Sequence, residues 1–126
     1  MPDPTILTEM ILPDQSNHYG TLFGGRGLSL MTRAAFIAAS RHARQKVVLA
    51  ACSDARFTAP VPMGTLFVLS ATVTGVGRTS MQVRVTGLCE LPEAGSCTPV
   101  SQASFTMVAV DDDGRPFPVP ALEETA

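Results

Sequence analysis

The sequence predicts an α+β domain in which a curved antiparallel sheet wraps around one long helix. A single stretch with helical periodicity, residues 24–44, lies near the start of the chain, and nearly everything after Lys46 has the features of strands. One helix cannot cover both faces of such a sheet, so two layers with a curved sheet are the economical arrangement. Because 126 residues suit one domain, we expect residues 1–126 to form it alone.

The chain opens with a predicted strand and a polar loop. Residues 5–12 are apolar and β-branched enough for a strand, and Pro13, Asp14, Asn17 and Gly20 then indicate a loop.

The helix is predicted from Gly24 to about Arg44. Leu28, Met31, Ala35 and Ala39 follow a 3.6-residue spacing, and further apolar residues surround them, which is typical of a buried helix. We therefore expect its larger side chains, including Phe36, to lie in the core.

About four antiparallel strands are predicted after the helix, each with one face covered. A short apolar run at residues 47–51 is the first, and apolar residues then alternate with polar ones in three further segments. The alternating apolar positions are Phe67, Leu69, Ala71 and Val73; Met81, Val83 and Val85; and Ala103, Phe105 and Met107.

Composition argues against several classes of partner. The net charge is −2, and the eight arginines are scattered with one lysine, so we expect no nucleic-acid or membrane partner. Only 16% of residues are charged, below the ~25% usual in soluble domains, which favours an oligomer that hides additional surface.

The cysteines and histidines show no metal-ligand spacing. Cys52, Cys89 and Cys97 form no CxxC pair, and we expect no metal site. A disulfide between Cys89 and Cys97 stays possible, but the odd cysteine count and an N-terminal stretch without signal-peptide features favour reduced thiols in a cytoplasmic protein.

The glycine pair that starts the helix is the first candidate site. Gly24 and Gly25 provide no side-chain cap, so the first backbone N–H groups are free to bind an anion or a developing oxyanion. Taken alone, the pair is more simply explained as a sharp turn.

Four segments, in order, carry a family resemblance. They are residues 12–25, residues 57–64, residues 76–81 with Gly77-Arg78-Thr79-Ser80, and residues 105–120. Together they resemble hotdog-fold acyl-CoA thioesterases, specifically the acyl-CoA hydrolase group that includes brain- and brown-fat-type enzymes and short bacterial relatives.

The resemblance implies a site shared between two subunits. It implies that hotdog domains pair edge to edge as homodimers or dimer-based higher oligomers, with the thioester carbonyl bound by the Gly24 N–H. It further implies that Asn17 positions substrate or water, and that a carboxylate on the partner's helix acts as base or nucleophile. That position is Thr32 in this chain.

Thr32 departs from the family pattern, because a threonine hydroxyl without a base cannot usefully take a proton from water. Three explanations stay open: a weak or non-hydrolytic natural variant, an engineered substitution, or another carboxylate. Asp14 and Asp54 are the nearest carboxylates by sequence, although a turn residue and a strand-end residue are the simpler interpretations. His18 is a less favoured base.

Contacts with coenzyme A are assigned to Gly25, Arg78, Thr79 and Ser80, since arginine pairs well with phosphate. The resemblance predicts hydrolysis of acyl-CoA without a cofactor. The alternative is a non-hydrolytic or weakly active acyl-CoA-binding protein, and a hotdog hydratase or dehydratase ranks last because the helix contains no Asp or Glu.

Overall fold

A computed structural model of the chain describes residues 3–122. Six elements of regular structure follow in order, with one short 3-10 turn at Pro13–Gln15 between the first two. The elements are β1 (Thr5–Met10), α1 (Gly24–Ala43), β2 (Lys46–Phe57), β3 (Leu66–Val76), β4 (Ser80–Leu91) and β5 (Ser96–Val110).

The five strands form one antiparallel sheet in the order β1-β3-β4-β5-β2. Helix α1 contacts all five strands. This arrangement of one helix against a five-stranded antiparallel sheet confirms the predicted α+β class and its hotdog form.

Alternation along β3, β4 and β5 places one set of side chains against the helix. The odd-numbered residues are buried over 67–73, 81–89 and 101–109, and most of the residues between them are exposed or half-exposed. The core therefore lies between α1 and this face of the sheet, as the period of two predicts. Its largest fully buried side chains include Phe67, Phe105, Met31, Leu69 and Met81.

The helix is buried along one face only. Leu30, Met31, Ala34 and Ala38 are buried, whereas Phe36 is 45% exposed. The prediction that Phe36 belongs to the core is thus wrong for the isolated chain, because its position on α1 faces away from the sheet. Within residues 3–122, no helix is long and apolar enough to cross a membrane.

Strand β2 is longer than the sequence predicts. It runs through Lys46–Phe57 instead of stopping near Ala51, and Val47 is its one buried residue. Nearly all of its residues are exposed, so this edge strand lacks the alternation that reveals a half-buried strand. Two register shifts interrupt its pairing with β5, one of them at Asp54, whose φ is +54°.

The boundaries of three other strands also differ from the predicted ones. β1 ends at Met10 rather than Leu12, and both β4 and β5 extend beyond their alternating segments. Their added ends pair with each other around the turn at residues 92–95, where Glu90 pairs with Cys97. Cys52, Cys89 and Cys97 are all free thiols, and Cys89 is buried.

Candidate functional site

Helix α1 begins without a side-chain cap. Phe23 occupies the N-cap position in an extended conformation and supplies no capping hydrogen bond. The first bond inside the helix runs from the Gly27 N–H to the Phe23 carbonyl, at 2.9 Å. In residues 3–122 the N–H groups of Gly24, Gly25 and Arg26 have no acceptor, so they present the positive end of the helix dipole.

A cleft of about 330 Å³ opens beside this helix start. Its walls are Leu22 and Gly24 on one side and the segment that follows β2 on the other, with Phe57, Thr58, Ala59, Pro60 and Val61. A methyl group built at Gly24 would meet no atom within 4 Å, so the backbone there is open to a bound group. Gly25 is more enclosed, because the Phe23 ring lies 3.0 Å from the equivalent position.

Phe57 packs directly against the first turn of α1. A Cβ at Gly27 would lie 2.7 Å from Cζ of Phe57 and 3.0 Å from Cδ2 of Leu22. The lack of a side chain at Gly27 therefore allows this ring to form the inner wall of the cleft. Phe57 stays 39% exposed, and its ring centre lies 6.5 Å from that of the buried Phe67.

Asn17 organises the loop that leads into the helix. Its Oδ1 accepts hydrogen bonds from the N–H of Tyr19 at 2.9 Å and from the N–H and hydroxyl of Thr21, each at 3.2 Å. The loop is fixed to the cleft wall, because the Leu22 N–H donates to the Val61 carbonyl at 2.8 Å. With Oδ1 engaged in this way, the Asn17 side-chain NH₂ is the group left to contact a ligand.

Thr32 lies eight residues along the helix from Gly24, about 12 Å farther along its axis. Its hydroxyl donates to the Leu28 carbonyl at 2.8 Å, and the side chain is half-buried. Within one chain, the structure therefore does not bring Thr32 to the cleft beside Gly24. Thr32 instead shares the open stripe of α1 with the exposed Phe36, four residues on.

The turn at residues 78–80 lies at the opposite end of the sheet. Ser80 pairs with Val108 on β5, whereas Phe57 pairs with Ser101 at the cleft end. Seven β5 residues separate these levels, about 23 Å of strand. The predicted coenzyme A contacts of Arg78, Thr79 and Ser80 are therefore not adjacent to Gly24 in one chain.

The C-terminal segment packs across this turn. The Val119 N–H donates to the Arg78 carbonyl at 3.0 Å, and the Ala109 N–H donates to the Thr79 carbonyl at 2.9 Å. Nε2 of His42, in the last turn of α1, lies 2.8 Å from the Pro120 carbonyl oxygen. The backbone of the turn is thus anchored from two sides.

None of the alternative bases from the sequence lines the cleft. Asp14 is exposed in the 3-10 turn, and Asp54 is exposed at the β2 register shift. The His18 ring stacks on Tyr19, with ring centres 4.0 Å apart. In the described part of the chain, no three His, Cys, Asp or Glu side chains are placed to hold a metal ion.

Sequence reasoning missed the role of Phe57 and the residues after it as a cleft wall. A signal was present, because Pro60 and Pro62 end a strand and force an irregular segment that can line a site. The sequence did not reveal the pairing of β2 with β5, which brings this segment to the start of α1.

Comparison with known protein families gives one consistent match. Residues 19–93 match the thioesterase superfamily. An uncharacterized acyl-CoA thioester hydrolase of Zymomonas mobilis is 37% identical over 114 residues, which cover 90% of this chain and 76% of that protein. A second uncharacterized acyl-CoA thioester hydrolase, from Bacillus subtilis, is 34% identical and covers 93% of this chain and 68% of its own length.

Solved structures agree with these sequence relatives. An apo hexameric acyl-CoA thioesterase superposes with a TM-score of 0.93 at 37% identity, covering 98% of this chain and 79% of that one. An acyl-CoA hydrolase from Staphylococcus aureus, in complex with butyryl coenzyme A, coenzyme A and coenzyme A disulfide, gives a TM-score of 0.90 at 28% identity. That match covers 95% of this chain and 73% of the other.

Proposed function

The chain belongs to the thioesterase superfamily, and from this premise we propose that it hydrolyses acyl-CoA thioesters at the start of α1. The products are a free carboxylic acid and coenzyme A. One observation carries the placement: the uncapped start of α1, bare at Gly24, borders an open cleft. Residues 1–126 act in this proposal as one thioesterase domain.

Gly24 supplies the oxyanion site. Attack of water on the thioester carbonyl moves negative charge onto its oxygen, and the free Gly24 N–H donates a hydrogen bond to that charge. The helix dipole adds to this stabilisation because its positive end points at the same position. Collapse of the tetrahedral intermediate then breaks the C–S bond and expels the thiolate of coenzyme A, and the proton that the attacking water gives up balances this charge to yield the thiol.

Asn17 and Thr32 take complementary roles toward the attacking water. The Asn17 side-chain NH₂ donates to the water or to the acyl carbonyl, since its Oδ1 is used within the loop. The Thr32 hydroxyl already donates to Leu28 and therefore accepts a hydrogen bond from the water. These contacts orient the water, which supports slower turnover than a carboxylate base would.

A second copy of the chain completes the site. β2 offers a free edge and the exposed side chains of Val48, at 47%, and Leu49, at 46%, and α1 exposes Phe36, at 45%. Pairing of two β2 edges about a twofold axis extends the sheet and covers these apolar groups. A structurally similar thioesterase is a hexamer, which a dimer-based assembly would match.

The twofold arrangement also explains why the predicted residues are apart in one chain. Antiparallel pairing of β2 places the α1 start of one subunit near the opposite end of the other. Thr32 and the turn at residues 78–80 of the partner then approach the cleft beside Gly24. In that position the Arg78 guanidinium faces the phosphates of coenzyme A.

The test is thiol release from a panel of acyl-CoAs by the wild-type chain and by Thr32→Asp. We expect measurable turnover by the wild type and about tenfold or greater acceleration in Thr32→Asp, because a carboxylate adds base catalysis. Thr32→Asn is the matched control, since asparagine resembles aspartate in size and polarity but has no basic carboxylate.

The panel separates hydrolysis from binding alone. Release of thiol only by Thr32→Asp would mean that the natural chain binds acyl-CoA without turning it over. The naming of its relatives as hydrolases favours turnover by the natural chain. Absence of thiol release from both proteins, with every acyl-CoA, would refute the proposed activity.

A further inference from the structure

The hydroxyl of Ser101 is buried without a hydrogen-bond partner. Ser101 is 7% exposed, and its Oγ is the one buried side-chain polar atom in residues 3–122 that lacks a partner. Burial of a hydroxyl without a hydrogen bond is costly, so such groups in folded proteins call for an explanation.

The surroundings of this hydroxyl are apolar and lie directly behind the cleft. Ser101 pairs with Phe57 across β5 and β2, so their side chains share the face toward α1 at a Cα separation of about 5 Å. On the other side Ser101 pairs with Gly87, and its hydroxyl occupies the space that a Gly87 side chain would fill. The ring of Phe67 lies 2.7 Å from that same Cβ position.

Phe57 lines the cleft and Ser101 is its cross-strand neighbour, so the hydroxyl lies one side chain behind the cleft; we name this pair the Phe57–Ser101 wall. Phe57 is its outer residue, partly exposed to the cleft, and Ser101 is its inner polar group. An apolar wall with one polar group is typical of small-molecule sites, where the polar group fixes orientation. Ser101 Oγ is enclosed and does not line the cleft, so an acyl chain reaches it by displacing the partly exposed Phe57 ring.

We propose that the Ser101 hydroxyl binds an oxygen substituent on the acyl chain and favours hydroxylated or keto acyl-CoAs over unsubstituted ones. The assignment rests on the proposed function, because it places the acyl group at the cleft. An unpartnered hydroxyl in an apolar wall discriminates by hydrogen bonding, since an acyl group that lacks the oxygen leaves it unpaired.

The experiment compares kcat/KM for hexanoyl-CoA, 3-hydroxyhexanoyl-CoA and 6-hydroxyhexanoyl-CoA. These substrates have the same chain length and place the hydroxyl near to or far from the thioester. In Ser101→Ala we expect the preference for a hydroxylated substrate over hexanoyl-CoA to fall about fivefold, the effect of one neutral hydrogen bond.

Ser104→Ala is the matched control on the same strand. Ser104 lies on the opposite face of the sheet, where its Oγ accepts a hydrogen bond from Arg84 at 3.2 Å. This control should lower the melting temperature slightly and leave the substrate ratios unchanged. Ser101→Ala should keep or raise the melting temperature, because it removes a hydroxyl without a partner.

The outcomes distinguish this assignment from the proposed function. Hydrolysis of all three substrates with ratios unchanged in Ser101→Ala overturns the role of Ser101 and leaves the hydrolase proposal standing. A lowered melting temperature in Ser101→Ala with unchanged ratios also overturns it, in favour of a purely structural role. Failure of the wild-type chain to hydrolyse these three, with other acyl-CoAs of the panel hydrolysed, overturns the preference alone; failure with the whole panel refutes the hydrolase proposal as well.

Discussion

Replacement of Gly24 by proline removes the proposed oxyanion donor while the helix is retained. Proline is favoured at the first position of a helix, where its missing N–H would have no acceptor in any case. The preceding residue must be extended, and Phe23 already is, with φ −67° and ψ 129°. The Gly24 N–H has no acceptor within residues 3–122, so no structural hydrogen bond is lost.

The expected cost falls on catalysis and not on folding. Loss of one oxyanion donor lowers kcat by about 10²–10³-fold, or ~2.7–4 kcal/mol. We expect the lower end, about 100-fold, because the N–H groups of Gly25 and Arg26 and the helix dipole are retained. The free energy of unfolding should be unchanged or raised by up to ~1 kcal/mol, since proline restricts the unfolded chain.

Thiol release under saturating acyl-CoA measures kcat, and thermal or urea unfolding measures stability. Gly24→Ala is the control, because it keeps the N–H and its methyl group meets no atom within 4 Å. A Gly24→Pro protein that is folded and retains wild-type kcat would refute the role of this N–H. Equal losses in the proline and alanine variants would show that added bulk, and not the missing donor, causes the effect.

Three further predictions concern packing, assembly and coenzyme A contact. Gly27→Ala should destabilise the chain by about 1–2 kcal/mol in urea unfolding, because its Cβ would lie 2.7 Å from the Phe57 ring; a fully stable variant would contradict this packing. Leu49→Lys should convert the proposed β2-paired dimer to single chains in analytical ultracentrifugation and abolish thiol release. An active, undissociated variant would argue against the β2 interface. Arg78→Gln should raise KM for acyl-CoA several-fold with little change in kcat. Arg115→Gln, on the exposed turn after β5, is the control and should change neither constant. An unchanged KM for Arg78→Gln would remove that residue from the coenzyme A site.

The sequence by itself was sufficient to predict the class of fold and most of the buried core residues. Period-two alternation in β3, β4 and β5 identified the buried face, because a strand with one covered face must alternate. The uncapped Gly24-Gly25 start was also visible, since a missing side-chain cap is a local property. Both features depend on residues near one another in the chain.

Long-range pairing decided the rest. Three features depend on which strands pair, and each involves residues far apart in sequence. They are the length of β2, the cleft between Phe57 and Gly24, and the isolation of the Ser101 hydroxyl. β2 is exposed at nearly every position and so shows no alternation, which is why the residue pattern could not reveal how far it extends. The separation of Thr32 from Gly24 is different, because eight residues of one helix span about 12 Å and the predicted helix already implies it. Local patterning determined what each segment is, and only tertiary packing decided which side chains meet, because contact between distant segments depends on register and on the space that neighbours leave.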